Sequence, residues 1–280
     1  MLIDLHTHSN ASDGTDAPAG VLAAAARAGL GVVALTDHDT TAGWAEAARA
    51  VATTGVAVVL GTEVSARARG VSVHLLSYLH DPAEPALVAE LERIRTARLD
   101  RARVMVERLG EDYDLTWEDV VAQTTPETTV GRPHIADALV ARGLAADRTA
   151  AFASMLVPRS RYYVPHYAPE ALDAVVAVRA AGGVPFFAHP GADGRGRVVP
   201  DATIEAMAAA GLAGLEVHHR DHSAEQVARL TVLAARLGLL ITGSSDYHGD
   251  GKPNRIGENV TDPAVLAAIE EQGTTAVVRP

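Results

Sequence analysis

Leu2-Ile3-Asp4-Leu5-His6-Thr7-His8-Ser9 opens the chain, an apolar run that ends in a His-x-His pair. Residues two apart on a strand point to the same face. His6 and His8 can therefore present two imidazoles to one point. The pattern recurs at the ends of later apolar runs, in Thr36-Asp37-His38, Gly61-Thr62-Glu63, His74, Ala188-His189-Pro190 and Ser245-Asp246-Tyr247-His248. Such side chains converge only if the C-terminal ends of the strands share a face, as they do in an α/β barrel.

Working outward, strand-like runs lie at 2–6, 32–36, 57–63, 71–78, 184–188, 214–218 and 239–243, with a further one expected at 274–278. Alanine-rich helices are predicted near 17–28, 41–53, 168–181, 201–210, 224–237 and 263–271. Gly29, Gly55, Gly182, Gly211 and Gly238 stand where helices end, as C-terminal caps should. Repeated βα units imply a mainly parallel sheet. The rhythm breaks in the middle of the chain. Residues 81–161 hold no convincing strand and read as helices near 83–109, 116–122, 132–141 and 146–156. We read 1–80 and 162–280 as the barrel and 81–161 as an inserted helical subdomain, a packing unit or a lid over the site.

The composition narrows the chemistry. A chain of 280 residues suffices for one α/β barrel. It has no cysteine, so any metal must be held by imidazole and carboxylate, a donor set that suits Mn, Fe, Zn or Mg. The formal charge of −11 disfavours a nonspecific surface for duplex DNA. Asp4, His6 and His8 interrupt the first apolar run, unlike a signal peptide, and no stretch approaches 18 apolar residues. The expectation is a soluble cytoplasmic protein.

The clusters supply nine candidate ligands: His6, His8, Asp13, His38, Glu63, His74, His189, Asp246 and His248. That is too many for one ion and suits two or three. Adjacent ions need a bridging group, and Glu63 is well placed for it, with His74 on the following strand. Such a centre suits phosphoryl transfer: a bound water is activated as hydroxide and the phosphate oxygens are held. With no cysteine and no Gly-x-Ser-x-Gly elbow, the chain offers no obvious side-chain nucleophile.

These motifs, in this order, resemble the PHP family (polymerase and histidinol phosphatase). The resemblance implies a distorted (β/α)7 barrel with a trinuclear cleft, and it selects Asp13 over nearby Asp16. It groups His6, His8, Glu63 and Asp246 on one metal, Glu63, His74 and His189 on a second, and Asp13, His38 and His248 on a third. Manganese is the expected metal. Gly131-Arg132-Pro133-His134-Ile135-Ala136 and Tyr162-Tyr163-Val164-Pro165 further resemble the stand-alone phosphoesterases of nucleoside 3′,5′-bisphosphates and of the 5′ ends of short RNAs. Val157-Pro158-Arg159-Ser160-Arg161 departs from a Gly-Lys-Pro-like segment there, and Arg161 would stand in for the lysine.

The expected activity is removal of the 3′-phosphate from a nucleoside 3′,5′-bisphosphate by metal-bound hydroxide. Histidinol-phosphate phosphatase, 5′→3′ exonuclease on short RNA and a non-catalytic metal- or nucleotide-binding module are the alternatives. Glu63, His74 and Asp246 would be catalytic through the metals. His134 would protonate the leaving group, and Arg132, His134 and Arg161 would hold phosphate. Arg93, Arg95, Arg98 and Arg101 alternate with acids along a helix and read as a solvated face. Asp4 and Asp37 could orient ligating histidines. One of His218 and His219 would face the cleft, and His80, His166 and His222 read as structural or surface residues.

Overall fold

Seven strands form one sheet in chain order: β1 (Leu2–Thr7), β2 (Leu30–Leu35), β3 (Ala57–Ala68), β4 (Val71–Tyr78), β5 (Val184–Phe187), β6 (Gly214–His218) and β7 (Leu240–Gly243). The computed structural model describes residues 1–280, the side chain of Arg195 excepted. Neighbouring strands are parallel except β4, which runs antiparallel to both β3 and β5. The free edge of β1 is met by chain that follows β7. Thr7 bridges to Tyr247, and the Thr261 N–H donates to Ile3 O at 2.9 Å. First and last strands thus meet, and a row of strand ends faces one cleft.

Helices α1 (Pro18–Arg27), α2 (Trp44–Thr54), α7 (Ala171–Ala180), α8 (Asp201–Ala209) and α9 (Ala224–Leu237) occupy the connections, and α10 (Pro263–Glu270) follows β7. Gly55 and Gly238 cap α2 and α9 in the left-handed conformation, at φ 70° and 66°. Strand residues are buried on both faces, which explains their near-continuous apolar runs. Val33 and Leu35 pack against α1 and α2, while Val32 and Ala34 join Val59, Tyr78 and Phe186 in a separate core.

Between β4 and α7 lie α3 (Pro85–Gly110), α4 (Trp117–Val121), α5 (Arg132–Ala141) and α6 (Arg148–Ser154). Helix α3 is a shared spine. Its Leu87, Leu91 and Ile94 pack with Val64, Leu75 and Val175 against the sheet. Its Ala102, Met105 and Leu109 belong to another core with Leu115, Ile135, Leu139 and Leu156. No helix among the described residues is long and apolar enough to cross a membrane.

The expected strand at 274–278 does not form. Val278 makes one antiparallel bridge to Val58, while the Thr274 and Thr275 amides both donate to Leu79 O. With that backbone bonded elsewhere, no ladder can extend.

One irregularity positions the site. In β1, Asp4 stands opposite Val33 and Thr7 opposite Leu35, so three residues of β1 span two of β2. This β-bulge shifts the alternation by one. Thr7 takes the face of Asp4, and His6 and His8 turn to the face of Ile3. A further register shift falls between Glu216 and His218 of β6, again at the strand end beside the cleft.

Candidate metal centre

Glu63, 1 % exposed near the middle of β3, is the hub. Its two carboxylate oxygens face different imidazoles. Oε2 lies 3.1 Å from His6 Nε2, 3.0 Å from His8 Nε2 and 3.3 Å from His38 Nδ1. Oε1 lies 2.9 Å from His74 Nδ1 and 3.2 Å from His189 Nε2. A carboxylate so divided has the geometry of a bridge between two cations. Asp246 closes the first group, its Oδ1 at 3.6 Å from His6 Nε2 and 3.5 Å from His8 Nε2. Asp13 centres another group, at 3.2 Å from His248 Nε2, 3.7 Å from His8 Nδ1 and 3.8 Å from His38 Nε2. All nine candidate ligands therefore meet in one cleft, and His38 faces both Glu63 and Asp13.

Three features of the donor set fit divalent cations. His6 Nε2 and His8 Nε2 face each other at 3.0 Å, so a proton on one of them, or a cation bound to both, must separate their lone pairs. His38 Nδ1, His74 Nδ1 and His248 Nε2 are buried, and their close approaches to the Glu63 and Asp13 carboxylates lack hydrogen-bond geometry, a costly state for a polar atom that a ligand bond would remove. The opposite nitrogens are already oriented. His6 Nδ1 is 2.9 Å from Glu216 Oε1, and His248 Nδ1 is 2.8 Å from Asp246 O. Such outer bonds hold ligating imidazoles in one tautomer.

The charges agree with this. Burial alone would raise the Glu63 carboxyl, but His38, His6 and His74 hold it well below the usual range. Against the same cost of burial, His248, His38 and His8 hold Asp13 low. Burial opposes a charge on His8, yet Asp246, Glu63 and Asp13 raise it to about 9. Protons stand in for cations here. Backbone strain collects at the cleft as well. Asp39, His189 and Asp246 have φ of 55°, 33° and 54°, a region that costs most side chains energy. The His189 amide is held there by a 2.7 Å bond to Glu216 Oε2.

Glu216 was not among the expected residues, although it is an acid inside the apolar run Gly214-Leu215-Glu216-Val217. It lies fully buried behind His6 and His189. Asp4 and Asp37 do not take that orienting role. Asp4 accepts from the amides of Ser245 and Gly257, and Asp37 from Ser9 and Ser12. They organise loops. His219 is the member of its pair at the cleft, with Nε2 3.6 Å from Asp246 Oδ2, while His218 is exposed. Lys252 Nζ lies 3.1 Å from the same oxygen. His80 and His222 are buried structural residues.

The arginines depart most from expectation. Arg98 and Arg101 are only 8 % and 6 % exposed, not a solvated face. They lie on the inward stripe Leu87, Leu91, Ile94, Arg98, Arg101, Met105, whose steps of four and three were visible in the sequence. Arg98 reaches over the barrel, with Nε 2.8 Å from Asp39 Oδ2 and a 2.6 Å bond to Ser65 Oγ. Ser65 stands opposite His74 in the β3–β4 ladder. Arg101 lies 3.4 Å from His166 Nδ1, and its buried Nε has no partner. Burial, with Arg98, Arg132 and Arg67 nearby, pushes the Arg101 guanidinium down to about 9. Burial and then Arg101, Arg98, Arg67 and His74 push His166 down to about 2. Four arginines and a neutral histidine thus form a cationic cluster beside the His74 end of the cleft.

Of the residues expected to hold phosphate, Arg132 joins this cluster, stacked near Phe152 and Tyr163 and bonded to Leu156 O. His134 is placed differently. Nδ1 accepts from the Gly131 amide at 3.0 Å and Nε2 lies 2.9 Å from Ser12 O, so neither nitrogen is free to serve phosphate or a leaving group. Arg161 is exposed and pairs with Asp112 on the outer side of the helical segment. In this structure His134 thus holds the Ser12 loop and Arg161 a surface ion pair.

A family model described as the PHP domain matches residues 4–114. Over 99 % of its length the chain is 37 % identical to a 3′,5′-nucleoside bisphosphate phosphatase of Chromobacterium violaceum, covering 98 % of it. It is 36 % identical to a phosphoribosyl 1,2-cyclic phosphate 1,2-diphosphodiesterase of Eggerthella lenta, over 89 % of this chain and 95 % of that one. A crystal structure from Bifidobacterium adolescentis, assigned as a metal-dependent phosphoesterase, superposes with a TM-score of 0.95 at 46 % identity, covering 97 % of this chain and 96 % of that one.

Proposed function

The chain belongs to the PHP family of metal-dependent phosphoesterases, and on that premise we infer that it removes the 3′-phosphate from nucleoside 3′,5′-bisphosphates. The observation that carries the reading is the adjacency of two clusters. The carboxylate–imidazole cleft suits cations and a reacting phosphoryl group. The arginine cluster beside His74 suits a second anion that does not react. A substrate with two phosphates complements both. The 37 % identity to a bisphosphate phosphatase supports the same choice.

In this reading His6, His8, Glu63 and Asp246 would hold one ion, Glu63, His74 and His189 a second, and Asp13, His38 and His248 a third, with manganese the preferred metal. Such ions lower the pKa of a bound water and stabilise charge on the phosphoryl oxygens. The chain's own groups do the rest. Glu63 keeps the two imidazole sets in register. Glu216 holds His6 and the strained His189 backbone. Arg101 and Arg132 receive the second phosphate and orient the ester. Burial of Asp246, His6 and Glu63 restricts water to the reacting face.

The test is product release with Mn²⁺ and after chelation: phosphate from adenosine 3′,5′-bisphosphate, a phosphoribosyl 1,2-cyclic phosphate, histidinol phosphate and p-nitrophenyl phosphate, and mononucleotide from a 5′-phosphorylated diribonucleotide. Fast, chelator-sensitive release from the bisphosphate is expected. A clear preference for the cyclic ester, suggested by the 36 % identity to a cyclic phosphodiesterase, would replace the substrate but keep the site. Release that survives chelation would overturn the metal centre.

A further inference from the structure

Two loops carry Asp13 and His248, and they are stitched together. The Thr15 amide donates to His248 O at 3.1 Å and the Asp250 amide to Thr15 Oγ1 at 2.9 Å. One side chain from the helical segment spans both loops. Arg148, the first residue of α6, points Nη1 at Asp13 O, 3.2 Å away, and at Gly251 O, 3.4 Å away. Its Nε and Nη2 bond both oxygens of Asp137 on α5, at 2.5 and 2.6 Å. That bidentate pairing fixes the guanidinium plane. A side chain at Gly251 would bring Cβ to 2.2 Å from Arg148 Nη1, so this approach requires glycine there. His134 supports the same loop from α5 through Ser12 O, and the Thr129 amide donates to Ala11 O at 2.9 Å.

We propose that the Arg148–Asp137 pair is a positioning device for the ion held by Asp13, His38 and His248, setting the separation of the two loops that supply its ligands. The proposal rests on the reading of the cleft as a metal centre. It makes the helical segment part of that centre and not a detached cover. Neither residue touches the ligand atoms. Arg148 acts through the backbone carbonyls of Asp13 and Gly251, and Asp137 acts through Arg148.

Mn²⁺ titration of the chelated chain tests it, with bound and free ion separated by electron paramagnetic resonance. The variants are Asp137→Asn, Asp137→Glu and Arg148→Lys. Asp137→Asn is nearly isosteric and opens no hole, so it holds if Arg148→Lys folds poorly. Asp114→Asn, in the exposed Arg142–Asp114 pair, is the control. One class of Mn²⁺ site should weaken roughly 10- to 100-fold in Asp137→Asn and Arg148→Lys. The other sites and the control should be unchanged, and Asp137→Glu should recover part of the loss. Unchanged affinities with only a lower melting temperature would overturn the proposal, because the pair would then merely pack the helices. If the wild-type chain binds two ions and no third, the clamp falls while the Glu63 bridge stands. If it binds none, the metal-centre reading falls with it.

Discussion

Around Glu63, the imidazoles of His6, His8, His38, His74 and His189 surround a buried carboxylate. Around Arg101, the guanidiniums of Arg67, Arg98 and Arg132 crowd another cation and a histidine driven neutral. The first region is built from strand ends and is complete only with positive charge. The second draws on α3, α5, β3 and the chain before α7, and it is complete only with negative charge. Each would be costly to bury alone. Together they describe a substrate that is anionic at two points, one end meeting ions and the other meeting arginine. The difference also separates roles: damage to the first region should stop the reaction, and damage to the second should change what is bound.

Replacement of Glu63 by Gln should break the first region most completely. Turnover is expected to fall on the order of 10²–10³-fold or more, with loss of bound Mn²⁺ and an unchanged circular dichroism spectrum. A folded variant that keeps wild-type rate and metal content would remove the bridge from the scheme.

The protons that stand in for cations give the next effect. His8 has a folded pKa of about 9 against an ordinary 6.5. A raised histidine stabilises the fold fully below pH 6.5, and that contribution is lost as pH rises through 9. The most it supplies is about 3 kcal/mol. The melting temperature of the chelated chain should therefore fall between pH 6.5 and 9. Metal ligation needs the unprotonated imidazole, so the upward shift produced by Mn²⁺ should grow across the same window. A shift independent of pH would mean that metal does not displace the His8 proton.

Arg101→Met probes the second region. Losing a charge-assisted bond of about 1.5–3 kcal/mol should raise KM for adenosine 3′,5′-bisphosphate roughly 10- to 100-fold. Hydrolysis of p-nitrophenyl phosphate, which has no second anion, should be nearly unchanged. Equal losses on both substrates would assign the arginines to folding. The smallest effect is expected from Arg161→Ala. Its exposed pair with Asp112 supplies no more than about 1 kcal/mol, so KM should move less than about twofold. A tenfold rise would return Arg161 to the phosphate site that the sequence implied for it.

Much of the fold was legible because its signals are local. Strand-like apolar runs, helical periodicity and capping glycines depend on neighbours in the chain, and the strands at 71–78 and 214–218 form with those bounds. The run at 274–278 looked similar, but Leu79 O takes its amides. The nine candidate ligands were legible for a related reason: most stand just past a strand-like apolar run, although β3 continues to Ala68 and β4 to Tyr78, which leaves Glu63 and His74 mid-strand. Their partners were not. Glu216 meets His6 across 210 residues, and no periodicity reports such a contact. Arg98 and Arg101 were misread because their charge outweighed their spacing. The stripe that places them inside was visible, but Asp39, which pairs with Arg98, and the arginines that crowd Arg101 lie elsewhere in the chain.

By itself the sequence determined the candidate donors and the strand-like runs that carry most of them, since ligand chemistry and the two-residue alternation of a strand are local properties. It also excluded thiolate chemistry, through the absence of cysteine. Only the tertiary structure decided which way His6 and His8 face, because the bulge between Asp4 and Thr7 arises from the register of β1 against β2. The tertiary structure also bonded both nitrogens of His134, to Gly131 and Ser12, and it made the arginine cluster. Both outcomes depend on segments far apart in the chain being packed together, and only the folded chain specifies that packing.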